Sequence, residues 1–173
     1  GLLVDKIVDA AQMKGTSTWT VASSLELSRG VVPLPGIYAA IATRAMSWER
    51  ERRMKIAGAL SFPVRHARLP RKKALLQLEE ALYTAKIACY AQGFDLMLAA
   101  DTQYGFAGLD IAEIARIWRA GCIIRARFLG EISQAYQQGK PESLILAGTF
   151  KSAVRKGMPS LAETCRLAAS SNL

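Results

Sequence analysis

Between Asp9 and Trp19 the chain reads Asp-Ala-Ala-Gln-Met-Lys-Gly-Thr-Ser-Thr-Trp, a turn that sets a cation, a glycine and hydroxyls side by side. These are the groups a phosphate ester needs. Lys14 supplies a mobile point charge, and Gly15 can take a positive φ that exposes neighbouring backbone N–H groups. Thr16 and Thr18 add hydroxyl donors beside the positive end of the next helix. The same residues also have a purely structural reading, in which Gly15 closes one helix, Thr18 or Thr20 caps another and Lys14 complements a helix dipole. Residue types and spacing alone leave both open.

Helices must hold such a turn. Residues 2 to 13 place Leu3, Val4, Ile7, Val8 and Ala11 at helical spacing opposite Asp5, Asp9 and Gln12, which predicts an amphipathic helix ending at Gly15 with Asp9 solvated or capping. Thr20 opens a short helix to Leu27, closed by Ser28, Arg29 and Gly30, and Val31 to Gly36 is extended because a residue before proline avoids the α region. Pro35 then starts a helix predicted to reach Ala57, with Ile37, Ile41, Ala45 and Trp48 on its apolar side. Arg44 sits at the edge of that stripe, where a guanidinium can reach into a cleft, whereas Arg50 to Lys55 read as surface.

Ser61 to Pro70 reads as a loop, and the single histidine in it, His66, as a solvated side chain rather than a base. From Lys72 to Ala100 two apolar stripes run together, Leu75, Leu78, Leu82, Ala85, Cys89 and Leu96 on one and Leu76, Tyr83, Ile87, Tyr90, Phe94 and Met97 on the other. They predict a largely buried central rod of roughly 40 Å with Gly93 as a close-packing point. Asp110 and Glu113 have capping-box spacing and open a helix to Gly121. Another runs through Ile123, Ile124, Phe128 and Ile132 to Gly139. The last residues form one helix around Leu144 to Val154, a second opened by Ser160 and Glu163, and a fraying end. Arg116, Arg119, Arg125 and Arg127 beside Trp118 read as joining two helices rather than gripping a ligand. No alternating strand pattern occurs, nor a Gly-x-Gly-x-x-Gly after a strand. The fold class is therefore all-α, a multi-helix bundle around one long buried central helix.

With 173 residues and a hydrophobic share of 51%, the chain has enough apolar surface for one globular domain. Cys89, Cys122 and Cys165 match no metal or redox spacing, which implies reduced thiols in a cytosolic protein and no metal site. The opening Gly1-Leu-Leu-Val has no signal-peptide or membrane-span pattern and reads as a chain cut from something longer. A net charge of +9 implies attraction to anions. Much of the excess lies between Arg44 and Lys73, where a solvated helix face and charged linker is preferred to a nucleic-acid groove.

The Asp9 to Trp19 turn resembles the signature Asp-x-Ala-x-x-Lys-Gly-Thr-Gly-x-Trp of the 6-phosphogluconate dehydrogenase family. Asp9, Ala11, Lys14, Gly15, Thr16 and Trp19 are in register, and Ser17 replaces a glycine. Two further blocks are similar to the same family, Ala81 to Phe94 (Ala-Leu-Tyr-Thr-Ala-Lys-Ile-Ala-Cys-Tyr-Ala-Gln-Gly-Phe) and Glu113 to Leu129. Two residues around Ser28 and Arg29 look inserted relative to it. The resemblance implies the all-helical C-terminal domain of an enzyme of the pentose phosphate pathway. That enzyme oxidises 6-phosphogluconate with NADP and decarboxylates the keto intermediate to ribulose 5-phosphate.

It further implies that Lys14, Thr16 and Arg44 contact the substrate, chiefly its phosphate, and that the chain pairs as a cytoplasmic homodimer. NADP is then held mainly by an N-terminal dinucleotide-binding domain. On this resemblance the family's catalytic Lys and Glu are expected before residue 1, and its C-terminal tail is not expected within the residues up to Leu173. Residues 1–173 are thus expected to be a single substrate-binding and dimerisation domain, catalytically inactive alone, with no cofactor, nucleic acid or membrane bound. The competing readings are a basic all-α nucleic-acid-binding module, suggested by the charge, and a purely structural oligomerisation domain, suggested by the apolar rod.

Overall fold

A 34-residue helix organises the chain, in a computed structural model that describes residues 1–13, 15–27, 30, 32–61, 63, 65 and 69–171. In order the helices are α1 (Thr16–Glu26), α2 (Pro35–Trp48), α3 (Arg50–Leu60), the long α4 (Arg71–Tyr104), α5 (Ile111–Ile117), α6 (Leu129–Gly139) and α7 (Gly148–Ser170). Single 3-10 turns cover Leu3–Lys6 and Leu144–Leu146. No strand occurs among the described residues, and the all-α expectation holds.

Helix α7 packs antiparallel along the first half of α4. The pairings descend one helix as they climb the other: Gln77 Nε2 donates to Thr164 Oγ1 at 3.3 Å, Ser160 Oγ to Glu80 Oε2 at 2.6 Å, and Gly157 faces Thr84. A Cβ at Gly157 would stand 1.9 Å from Thr84 Oγ1, so only glycine lets the two helices approach this closely. The sequence puts the close-packing glycine at Gly93, but a Cβ there would meet nothing within 4 Å. Proximity in space, not position in the apolar stripe, decides which glycine is needed.

The second half of α4 forms the core. Ile87, Ala91 and Phe94 are buried against Ile111, Ala112 and Ala115 of α5, Leu129, Ile132 and Tyr136 of α6, and Phe150 of α7. Phe94 stacks on Trp118 with ring centroids 5.4 Å apart, and Phe128 receives Tyr90 and Phe150 edge-on. Trp118 thus stacks on a core ring and not among the arginines expected to surround it. Arg116 instead pairs with Glu113 of its own helix. The rod is less buried than its stripes imply, since Leu75, Leu76, Leu78 and Leu82 are exposed in the first half of α4.

Several helix limits differ from expectation. The predicted helix over residues 2 to 13 is only the Leu3–Lys6 turn, and Leu2, Leu3, Val4, Ile7 and Val8 are exposed. A short helix needs an apolar partner to persist, and no described residue buries this face. The helix after the turn starts at Thr16 rather than Thr20. The helix expected from Pro35 to Ala57 breaks at Glu49, whose φ of −83° and ψ of 49° leave the helical region. Helix α5 stops at Ile117, residues 122 to 128 are turns with Ile123 98% exposed, and α6 starts only at Leu129. The segment 148–170 is one helix passing through Pro159 without a second start, because Ser160 is engaged with Glu80 rather than capping. The N-cap at Asp110 is as expected, its side chain accepting from the Glu113 N–H at 3.0 Å. Lys14, Ser28, Arg29, Val31 and His66 lie outside the described residues.

Candidate functional site

Gly15 takes a φ of 91°, the left-handed conformation its type permits, and Thr16 is the first residue of α1. The chain turns sharply there into an 11-residue helix whose first-turn N–H groups precede its own hydrogen-bond ladder. The Thr18 N–H is taken by the Gly15 carbonyl at 3.0 Å. Ser17, which replaces the family's second glycine, sits within the helix and turns its hydroxyl toward Met13 Sδ at 3.7 Å. The helical conformation accommodates this serine without a glycine's freedom.

Arg44 on α2 shares a groove of about 370 Å³ with the segment that precedes this turn, the lining being Ala11, Met13, Arg44, Ala45, Trp48 and Glu49. Ala11 and Met13 lead into Lys14, so the groove brings Arg44 to the segment carrying the lysine, although Lys14 itself is outside the described residues. Thr16 is exposed and is not part of the groove lining. The carboxylate at the groove edge, Glu49, is engaged by Arg52 at 3.0 Å, while the Arg44 guanidinium has no acidic partner among the described residues. An exposed guanidinium without an internal counter-ion is free to take an anion from solution. A larger groove of about 560 Å³ between α6 and α7 is lined by Glu131, Gln134 and Gln138 with no cation, which does not suit a phosphate.

Polar links place these elements. Gln92 of α4 accepts from the backbone N–H groups of Gly36 at 3.1 Å and Ile37 at 3.2 Å. Two donors of the first turn of α2 are thereby satisfied, and Pro35 has no N–H to satisfy. Gly36 makes this approach easy, since a Cβ there would lie 3.2 Å from Gln92 Nε2 and would require that side chain to shift slightly. Helix α1 is tied to α2 through buried Ser24, which donates to the Val21 carbonyl at 2.7 Å and meets the Tyr38 hydroxyl.

Asp9 is solvated as expected, its side chain 60% exposed, but the sequence does not show that it is paired: the Arg53 Nη2 lies 3.1 Å from Asp9 Oδ2, and Arg53, read as surface, is only 34% exposed. Their separation of 44 residues carries no local signal. Gln92, Tyr38 and Ser24 also escaped the sequence reading. Gln92 lies in the Ala81 to Phe94 block, but nothing in its spacing shows that it faces a helix start.

The displaced titrations lie away from the groove. Burial, and secondly the Asp95 charge, pushes the Tyr136 phenol up to about 12. Burial raises the Asp95 carboxyl, while the hydroxyl of Ser143 donating to it at 3.2 Å opposes the rise. Burial alone raises the Cys89 thiol.

An all-α domain that presents a cationic groove beside a glycine turn at a helix start is the class these features define. The whole of residues 1–173 matches a family model described as "6-phosphogluconate dehydrogenase, C-terminal domain", and the chain belongs to this family. It is 42% identical over 155 residues to a decarboxylating 6-phosphogluconate dehydrogenase of Synechocystis, covering 89% of this chain and 31% of the relative. Against the NADP(+)-dependent decarboxylating enzyme of Bacillus subtilis it is 41% identical over 169 residues, covering 96% and 35%. Among solved structures, 6-phosphogluconate dehydrogenase of Plasmodium falciparum superposes with a TM-score of 0.86 at 34% identity, covering 98% of this chain and 36% of that one. The chain therefore spans about a third of the length of the curated relatives it matches.

A dinucleotide pyrophosphate is usually cradled by a strand, a glycine turn and a helix, and the described residues contain no strand to build that unit. Among the described residues no group of three or more His, Cys, Asp or Glu side chains could hold a metal, and no helix is long and apolar enough to cross a membrane.

Proposed function

We propose that this chain is the substrate-phosphate and subunit-pairing domain of an NADP-dependent, decarboxylating 6-phosphogluconate dehydrogenase. The observation that carries the reading is the groove in which Arg44 meets Ala11 and Met13, at the entrance to the Lys14–Gly15–Thr16 turn. In this reading Arg44 and Lys14 pair with the phosphate of 6-phosphogluconate, and Thr16 adds a hydroxyl or its first-turn N–H. NADP is held by another domain, so the chain alone binds no cofactor and does not turn over substrate. The enzyme works in the cytoplasm, without nucleic acid or membrane. The exposed Leu75, Leu76, Leu78 and Leu82 of α4 supply apolar surface for a homodimer contact. Light scattering at tens of micromolar should find a dimer, and a chain that stays monomeric would count against that role.

Charge-assisted hydrogen bonds contribute roughly 1.5 to 3 kcal/mol each before ordering costs, and millimolar binding needs about 4 kcal/mol. Two cations on an open, salt-screened groove should give a dissociation constant of ~1 mM or weaker. Amide chemical shifts during titration with 6-phosphogluconate test this. The expected result is movement of residues 11 to 18 and around Arg44, larger than with gluconate, and lost in Lys14→Ala and Arg44→Ala. Shifts centred on Arg50 to Arg52, or unchanged in both variants, would reject the site.

A further inference from the structure

We infer that Arg53 is a positioning residue for the phosphate groove, fastening the segment that enters the Lys14 turn to the break between α2 and α3 and so setting how the turn faces Arg44. The inference rests on the phosphate reading above. Arg53 Nη2 contacts Asp9 Oδ2 at 3.1 Å, the Asp9 carbonyl at 3.2 Å and the Ser47 carbonyl at 3.3 Å. Asp9 stands two residues before Ala11, and Ser47 three residues after Arg44, so one guanidinium touches the root of each groove wall.

The backbone explains why a side chain is needed there. In an unbroken helix the Ser47 carbonyl would accept an N–H four residues on, but the chain leaves the helix at Glu49 and the guanidinium supplies that donor. The break in turn lets Arg53 reach back toward residue 9. Its side chain is 34% exposed, against 71% for Arg52, whose partner Glu49 is three residues away. Arg53 does not line the groove, so it acts on the anion through Asp9 and Ser47 rather than by touching it. Pairing also matters electrostatically, because a free Asp9 carboxylate would oppose an anion close by.

The test uses the whole 173-residue chain as Arg53→Gln, Arg53→Lys, Asp9→Asn and the double variant Asp9→Asn/Arg53→Gln, with Arg52→Gln as control. Each is compared below its melting temperature. Without ligand, amide exchange of residues 10 to 18 should speed up in Arg53→Gln and Asp9→Asn but not in Arg52→Gln. With 6-phosphogluconate both single variants should bind about three- to fivefold more weakly and the double variant no more weakly than either. Arg53→Lys should fall between parent and Arg53→Gln, since it keeps the charge without the fork.

Asp9→Asn decides between explanations. Removing an acid near an anion site strengthens binding if charge alone acts, so weakening requires that Asp9 hold the geometry. Unchanged or tighter binding in Asp9→Asn overturns the inference, as does a loss confined to Arg53→Gln, which would mean that Arg53 touches the phosphate itself. Faster exchange with unaltered affinity also overturns it and leaves Arg53 a structural fastener. If the parent shows no Arg44-dependent binding, the phosphate reading falls and the positioning role with it, while the ligand-free exchange still reports whether the fastening exists.

Discussion

Around Phe94 the chain buries a continuous set of side chains from α4, α5, α6 and α7, whereas α2, which lines the Arg44 groove, and α3, which follows it, contain no buried residue. The first region is held by apolar area, each fully buried large side chain contributing about 1.5–3 kcal/mol. The second has buried Leu27 and Leu34 between α1 and α2 and is otherwise tied by a few polar links, from Gln92 to Gly36 and Ile37, Ser24 to Tyr38 and Arg53 to Asp9, each contributing roughly 0.5–1.5 kcal/mol. The core should therefore set global stability. The groove should open locally at lower cost.

The sharpest way to break that contrast is Phe94→Ala. Its ring is fully buried and touches Trp118 and Tyr136, so its removal should lower the unfolding free energy by about 3–5 kcal/mol in urea titrations. A loss below about 1 kcal/mol would show that the cluster is not the stabilising centre.

A smaller effect appears at alkaline pH. An unfolded tyrosine ionises near 10, and Tyr136 in the folded chain at about 12. Below the unfolded value both states keep the proton and stability is complete. Between the two values only the unfolded chain releases it, so stability falls by roughly 2–3 kcal/mol as pH rises. Urea midpoints measured across that interval should decline less in Tyr136→Phe than in the parent, and identical declines would remove Tyr136 as the cause.

The smallest expected change belongs to the groove side. Gln92→Ala removes the acceptor for two N–H groups at the start of α2. Exchange of the Gly36 and Ile37 amides should accelerate about fivefold, equivalent to about 1 kcal/mol, with little change in the global midpoint. A midpoint drop as large as that of Phe94→Ala would instead make the two regions one cooperative unit.

Features written in one stretch of chain were legible in the sequence. The all-α class, the existence of α4, the Asp110 cap and the left-handed Gly15 each follow from local spacing or residue type. What depended on a distant surface was not. Leu3, Val4, Ile7 and Val8 have helical spacing, yet no described residue covers them and the helix does not form. Gly93 and Gly157 are equivalent by type, and only the approach of α7 to Thr84 tells them apart. Of the groove, Arg44 at the edge of its apolar stripe was legible, but not what holds the groove together. Asp9 and Arg53 look like ordinary surface charges until the fold brings them together.

The close contact of Gly157 with Thr84 makes α4 a lever. Gln92, which carries the start of α2, lies eight residues further along the rod, or about 12 Å at ~1.5 Å per residue. A rotation of about 5° about the Thr84 contact would carry that anchor by about 1 Å, a displacement large enough to matter to a group that must be held in place. The absence of one methyl group on α7 thus bears on where an arginine two helices away is aimed.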